Sequence, residues 1–178
     1  MKEVKLNDKE FEIFIDNIEI DEIISQIANK IKNSDIKDPL FIAVLNGSFL
    51  FAADLIRKIN IPNSEISFLK LASYDGLSTT GKVNELIGLS KEIKERNIIV
   101  LEDIIDTGIT LEKIIELLKK EGVKTIKIAS LLFKPESYSK KFNIDYIGKS
   151  IKNDFVVGYG LDYNEKGRNL KNIYKLKN

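Results

Sequence analysis

The residues whose types and spacing could do chemistry fall in one string, Asn97–Leu117, which reads NIIVLEDIIDTGITLEKIIEL. Glu102 and Asp103 are adjacent carboxylates, and Asp106 opens a compact turn, Asp106-Thr107-Gly108-Ile109-Thr110. Thr107 and Thr110 offer hydroxyls to a phosphate, and Gly108 permits close approach or a positive φ. The acidic pair would repel a phosphate placed directly on it. Beside the phosphate it suits sugar hydroxyls or Mg²⁺, a hard cation that prefers oxygen ligands. The chain has no His and no Cys. Ser-His-Asp catalysis, imidazole or thiolate metal ligands and disulfides are therefore excluded. Proton transfer falls to a carboxylate, Lys or Tyr. No GxxxxGK[ST] occurs, so the turn is not a Walker A loop.

The elements around these residues explain how they would be positioned. Ile98 to Leu101 is wholly apolar and rich in β-branched residues, the pattern of a strand buried on both faces. The acidic pair is then expected at that strand's carboxyl end. Leu111, Ile114, Ile115, Leu117 and Leu118 recur at helical spacing behind the turn. The first N–H groups of such a helix lack intrahelical partners, and the positive dipole end adds to their pull on an anion.

Similar units recur along the chain. Phe11 to Ile15 alternates, and Ile20, Ile23, Ile24, Ile27 and Ile31 predict an amphipathic helix over 19–32. Leu40 to Leu45 reads as a second buried strand, broken by Asn46-Gly47-Ser48 and followed by a helix to Asn60. Ile66 to Ala72 predicts a strand. Ser73 to Lys82 is a small, polar loop, and Val83 to Leu89 returns as a strand. Gly122 ends the helix of the central string. Thr125 to Phe133 predicts a third strong strand, stopped by Lys134-Pro135. Ile144–Ile147 and Phe155–Gly158 predict short strands, and the tail from Leu161 is polar with scattered apolar anchors. The pattern predicts an α/β fold, a central and mainly parallel twisted sheet flanked by helices, with right-handed crossovers. Ligands of such sheets bind beyond the carboxyl ends of the strands. That edge gathers Asn46, Gly47, Glu102, Asp103, residues 106–110 and Lys134.

A length of 178 residues suits one domain, taken as 1–178. With 43% apolar and 31% charged residues and a net charge of +1, there is no electrostatic basis for binding nucleic acid or an anionic membrane. No apolar run approaches membrane length, and MKEVKLNDKEF lacks a signal-peptide core, so a cytoplasmic location is expected.

The string of two acids, two apolar residues and Asp-Thr-Gly-x-Thr resembles the signature of the type I phosphoribosyltransferases, which bind 5-phosphoribosyl-1-pyrophosphate. LNGSFLFAADLIR, SYDGLSTTGKV, LEDIIDTGITL, LLFKPE and DFVVGYGLDYNEKGRNL also occur in the order seen in the members acting on hypoxanthine and guanine. The resemblance implies transfer of the phosphoribosyl group to a 6-oxopurine base, with Mg²⁺ as cofactor. It implies that Asp106 accepts the purine proton and that Asp106 to Thr110 cradle the 5′-phosphate. Glu102 and Asp103 would face the ribose hydroxyls and Mg²⁺, with Asp162 at a second Mg²⁺. Lys134 would donate to the 6-oxo group, Phe155 would stack on the base, and Val156 and Asp162 would contact its edge. Asn46, Gly47 and Arg168 would meet pyrophosphate, and the peptide before Asn46 can be cis in the family. Ser73 and Tyr74 match the family's lid, with a mobile loop over about 73–82 and a purine-side hood from about 135–178. Many relatives carry Lys where this chain has Asn46, so a side-chain cation is missing from that loop. A homodimer or homotetramer is implied as well. The alternatives are a phosphoribosyltransferase for another base, xanthine in particular, and a regulator that senses phosphoribosyl pyrophosphate without catalysis.

Overall fold

The structure is a computed structural model that describes residues 2–71, 85–87 and 92–177. The main sheet forms around the apolar runs. β3 (Leu40–Val44) is buried along its whole length, β6 (Asn97–Ile105) lies beside it, and β7 (Thr125–Phe133) lies beside β6. With β4 (Glu65–Leu71), β5 (Glu85–Ile87) and β8 (Tyr146–Ser150) they make a six-stranded sheet of order β5-β4-β3-β6-β7-β8. β4, β3, β6, β7 and β8 run parallel, and only the edge strand β5 is antiparallel.

Helices cover both faces, as a parallel sheet requires. α1 (Asn17–Lys32) and α2 (Phe49–Ile59) bury Ile24, Ile27, Phe51 and Leu55 against Phe41, Ile99 and Leu101. α3 (Ile109–Lys120) buries Leu111, Ile114 and Leu118 against Ile42, Ile98 and Val100 on the other face. The alternation of strand residues between these two clusters is the period-two pleat at work.

Four expectations are corrected. β6 does not stop at Leu101: pairing with β7 continues through Glu102↔Ser130 to Ile105↔Phe133, so the acidic pair sits inside the strand. β8 starts later than expected, and β9 (Val156–Val157) excludes Phe155. β1 (Glu3–Leu6) and β10 (Ile173–Leu176) lie in stretches to which the sequence assigned no element. Finally, the second sheet is not built from the C-terminal segment alone. Its order is β1-β2-β10-β9, with β2 (Lys9–Ile15) from the N-terminus, and all its pairings are antiparallel. Phe11, Val157 and Tyr174 form its small core. Ser73, Tyr74 and the rest of the 73–82 loop lie outside the described residues.

Candidate active site

The three helices differ at their N-termini. Asp16 caps α1, its carboxylate accepting from the N–H groups of Ile18 and Glu19 at 3.0 and 2.9 Å. α2 and α3, which start where β3 and β6 end, have no side-chain cap. Ser48 precedes α2, but its hydroxyl donates back to the Val44 carbonyl at 2.6 Å. Gly108 is the N-cap of α3, with φ of +81°. The Glu112 N–H donates to the Gly108 carbonyl at 2.9 Å, which begins the helix. Donors in the first turns of α2 and α3 therefore remain available at the carboxyl edge of the sheet.

Asp106 is not a cap. Its Oδ2 accepts from Lys134 Nζ at 2.8 Å, and the Lys134 N–H donates to the Ile105 carbonyl at 2.9 Å. The parallel register of β6 and β7 ends both strands at the same level, so the residues just beyond them meet. Lys134 is buried whereas Asp106 is open, its side chain 46% exposed, so the donor is held in place and the acceptor faces outward.

Asp103 lies against Gly47. A Cβ on Gly47 would fall 1.7 Å from Asp103 Oδ2, so a side chain there would displace the Asp103 carboxylate. The Leu45–Asn46 peptide just before it is cis. A Cβ on Gly160 would fall 2.0 Å from the Gly47 carbonyl oxygen, which brings the Gly160–Arg168 segment onto the same loop. Arg168 donates to the Gly160 carbonyl at 2.9 Å and pairs with Asp162 at 2.8 Å and with Glu165 at 3.1 Å. Burial pushes the Asp103 carboxyl up to about 6, against the Ile104 N–H bond and the Arg168 charge, which lower it. Burial, and then the neighbouring Asp103 charge, hold Glu102 well above the usual carboxylate range. The pleat directs neighbouring side chains apart, so the two acids do not form one two-pronged clamp.

Phe155 and Val156 belong to the second sheet's side of the molecule. The Phe155 ring is 43% exposed and meets Phe11 at 6.2 Å and Tyr163 edge-on at 5.9 Å, with Lys9 Nζ 5.7 Å from its centroid. Val156 is buried in β9. The structure thus joins Asn46–Gly47 with Asp103, Asp162 and Arg168, and joins Asp106 with Lys134. The contacts of Phe155 are with the second sheet instead.

Sequence reasoning missed a second layer at the 106–110 turn. The N–H and hydroxyl of Ser139 both donate to the Thr107 carbonyl at 3.4 Å. Lys140 Nζ pairs with Glu112 Oε2 at 2.6 Å. These partners are 28 to 32 residues apart in the chain. Lysine and serine are common here, so no local signal marked them.

A parallel sheet whose carboxyl edge carries two uncapped helix starts, a buried acidic pair and a lysine–aspartate pair defines an α/β protein for a phosphate-bearing ligand. Residues 13–164 match the phosphoribosyl transferase domain, and the chain belongs to that family. Within it, the hypoxanthine phosphoribosyltransferase of Buchnera aphidicola is 42% identical over 161 residues, covering 90% of each chain. The hypoxanthine phosphoribosyltransferase of Escherichia coli K12 is 39% identical over 158 residues, covering 88% of each. A crystal structure of a hypoxanthine-guanine phosphoribosyltransferase from Bacillus anthracis superimposes with a TM-score of 0.85 at 38% identity, covering 93% of this chain and 98% of that one.

Proposed function

We propose that this chain converts hypoxanthine or guanine and 5-phosphoribosyl-1-pyrophosphate into IMP or GMP and pyrophosphate, as a purine salvage enzyme. The observation that carries the reading is the Lys134–Asp106 pair, donor beside acceptor at 2.8 Å, next to the uncapped start of α3. A 6-oxopurine presents the O6 acceptor beside N7, which carries a proton in one tautomer. Lys134, which can only donate, matches O6, and the Asp106 carboxylate matches the N7 proton. Adenine presents an amino group at C6 and leaves Lys134 without an acceptor.

The purine N9 attacks the anomeric carbon of the sugar, whose bond to the pyrophosphate oxygen breaks with its electron pair. The purine proton passes to Asp106. The anomeric centre carries oxocarbenium character, as in other glycosyl transfers. The α3 N-terminus with Thr107, Gly108, Ile109 and Thr110 holds the 5′-phosphate, which fixes the sugar beside the base. Asn46, Gly47 and Arg168 take the pyrophosphate. Arg168 is pre-aligned by Asp162 and Glu165 and offers a planar fork to phosphate oxygens. Glu102 and Asp103 take the ribose hydroxyls. Phe155, still half open, offers a ring face to the base, and the backbone groups of Val156 and Asp162 its edge contacts.

The donor set fits Mg²⁺. Asp103 and Asp162 are oxygen ligands near one another and near Arg168, and no group of three or more acidic side chains converges among the described residues. Mg²⁺ favours such sites, where one or two carboxylates share the ion with water and substrate phosphates. Glu102 and Asp103 would face one ion at the ribose hydroxyls, partly through water, and Asp162 would hold a second; the metal would supply charge neutralisation for the leaving pyrophosphate.

No helix among the described residues is long and apolar enough to cross a membrane. We take the enzyme to be cytoplasmic and to assemble as a homodimer or homotetramer. Offering hypoxanthine, guanine, xanthine and adenine separately with phosphoribosyl pyrophosphate and Mg²⁺ tests the substrate class. Nucleotide should form from the first two with little from adenine. Preferential use of xanthine would move the specificity. Ligand binding without nucleotide from any base would favour the sensing regulator.

A further inference from the structure

The segment that follows β7 does more than carry Lys134. From Lys134 it turns back, its carbonyl accepting from the N–H groups of Ser137 and Tyr138, both at 3.2 Å, and it then lies across the 106–110 turn. A Cβ on Gly108 would fall 2.5 Å from Tyr138 Cε2 and 2.8 Å from Lys140 Cγ, so the turn and this segment are in direct contact. Tyr138 is held by its hydroxyl bond to the Phe142 carbonyl at 2.8 Å and by an edge contact with Phe133 at 5.3 Å.

Two consequences follow from simple stereochemistry and charge. Leu45–Asn46 is the cis peptide among the described residues, so Thr107–Gly108 is trans. A trans peptide points its C=O and N–H in opposite directions. Ser139 holds the Thr107 carbonyl, so the Gly108 N–H is aimed away from the segment. Secondly, Glu112 stands in the first turn of α3. Its carboxylate suits the positive end of the helix dipole, but it would repel a phosphate dianion arriving there. Lys140 Nζ, 2.6 Å from Glu112 Oε2 in a half-buried pair, cancels that charge.

We infer that Lys140 is a positioning residue for the phosphate turn, which it latches to the 134–142 segment while neutralising Glu112 at the start of α3. The inference deepens the phosphoribosyl-transfer reading and rests on it for the identity of the ligand. It predicts an asymmetry that a simple brace would not show. Lys140→Met removes the latch and exposes the Glu112 charge, whereas Glu112→Gln removes the latch and leaves the Lys140 cation, which attracts a phosphate, without its counter-charge.

The test is calorimetric titration with ribose 5-phosphate, alongside steady-state kinetics, on the full chain and on Lys140→Met, Glu112→Gln and the double variant. Lys140→Met should weaken ribose 5-phosphate binding and raise KM for phosphoribosyl pyrophosphate by about five- to tenfold, the size of coupling seen between contacting charged groups. The kcat and the KM for the base should stay within about twofold in this account, since neither depends on the Glu112 charge. Adding Glu112→Gln to Lys140→Met should recover the part of the loss that comes from the exposed Glu112 charge and leave the part that comes from the missing latch. Unchanged binding in Lys140→Met, or a double variant no better than Lys140→Met, would overturn the inference. Absence of nucleotide from the unaltered chain would instead remove the transfer reading, because ribose 5-phosphate binding reads the turn without turnover.

Discussion

At the scale of the residue, charge placement decides what the site can do. Lys134 is buried and anchored, and its partner Asp106 is open. In the proposed reading, a donor fixed in the protein and an acceptor facing the ligand would form a one-sided template for the 6-oxo edge of a purine. The loop proposed to take pyrophosphate is the opposite case. Asn46 and Gly47 offer backbone and amide groups but no cation, and Arg168 is tied to this loop through the Gly160 contact. Asn46→Lys should tighten pyrophosphate binding by at least about tenfold, the lower end of the roughly 1.5–3 kcal/mol of a hydrogen bond to a charged group. Pyrophosphate inhibition measured on both proteins checks this. An unchanged inhibition constant together with unchanged subunit assembly would show that the loop works through its backbone alone.

At the scale of the element, the turn between β6 and α3 is tightly constrained. Gly108 combines φ of +81° with Tyr138 and Lys140 packed where a Cβ would point. Gly108→Ala should destabilise the fold by about 1–2 kcal/mol for the left-handed backbone alone, with the contacts adding to it. A urea midpoint lower than that of the unaltered chain is the expected result, and an unchanged midpoint would mean that the turn relaxes freely. Most of this unit was legible beforehand. The apolar run before it and the helical spacing after it are local signals, as are those of β3, β7, α1 and α2. Two things were not. Glu102 and Asp103 end the apolar run, which suggested a strand end, yet pairing with β7 carries β6 on to Ile105. β1 pairs with β2 in a short hairpin, β10 pairs with β9 and, across almost the whole chain, with β2, and half-exposed strands of four residues have too little pattern to announce themselves.

At the scale of the whole molecule, the C-terminal segment returns over the main sheet and is tied to it at several points. Gly160 lies on Gly47, and the buried hydroxyl of Tyr159 donates to Asp54 of α2. Asn172 Oδ1 accepts from the Asn17 N–H at 2.9 Å at the start of α1. Burial, and next the Asp54 carboxylate, raise Tyr159 far above the ordinary phenol range. The neutral phenol is thus favoured in the fold, while an unfolded tyrosine ionises near ~10. The stabilisation is complete below that pH and is lost as pH rises above it. Denaturation midpoints should therefore fall from about pH 10 upward, and more steeply for the unaltered chain than for Tyr159→Phe, as linkage requires. Equal slopes would remove Tyr159 from the alkaline transition.

The central claim is that the carboxylate of Asp106 takes the purine proton beside a donor that reads the 6-oxo group. Asp106→Asn keeps the shape of the side chain and removes its basicity. Hypoxanthine turnover by that variant should fall by about 10²–10⁴, the span of general base catalysis, while GMP binding persists. Turnover equal to that of the unaltered chain would contradict the account and leave Asp106 as a turn residue paired with Lys134.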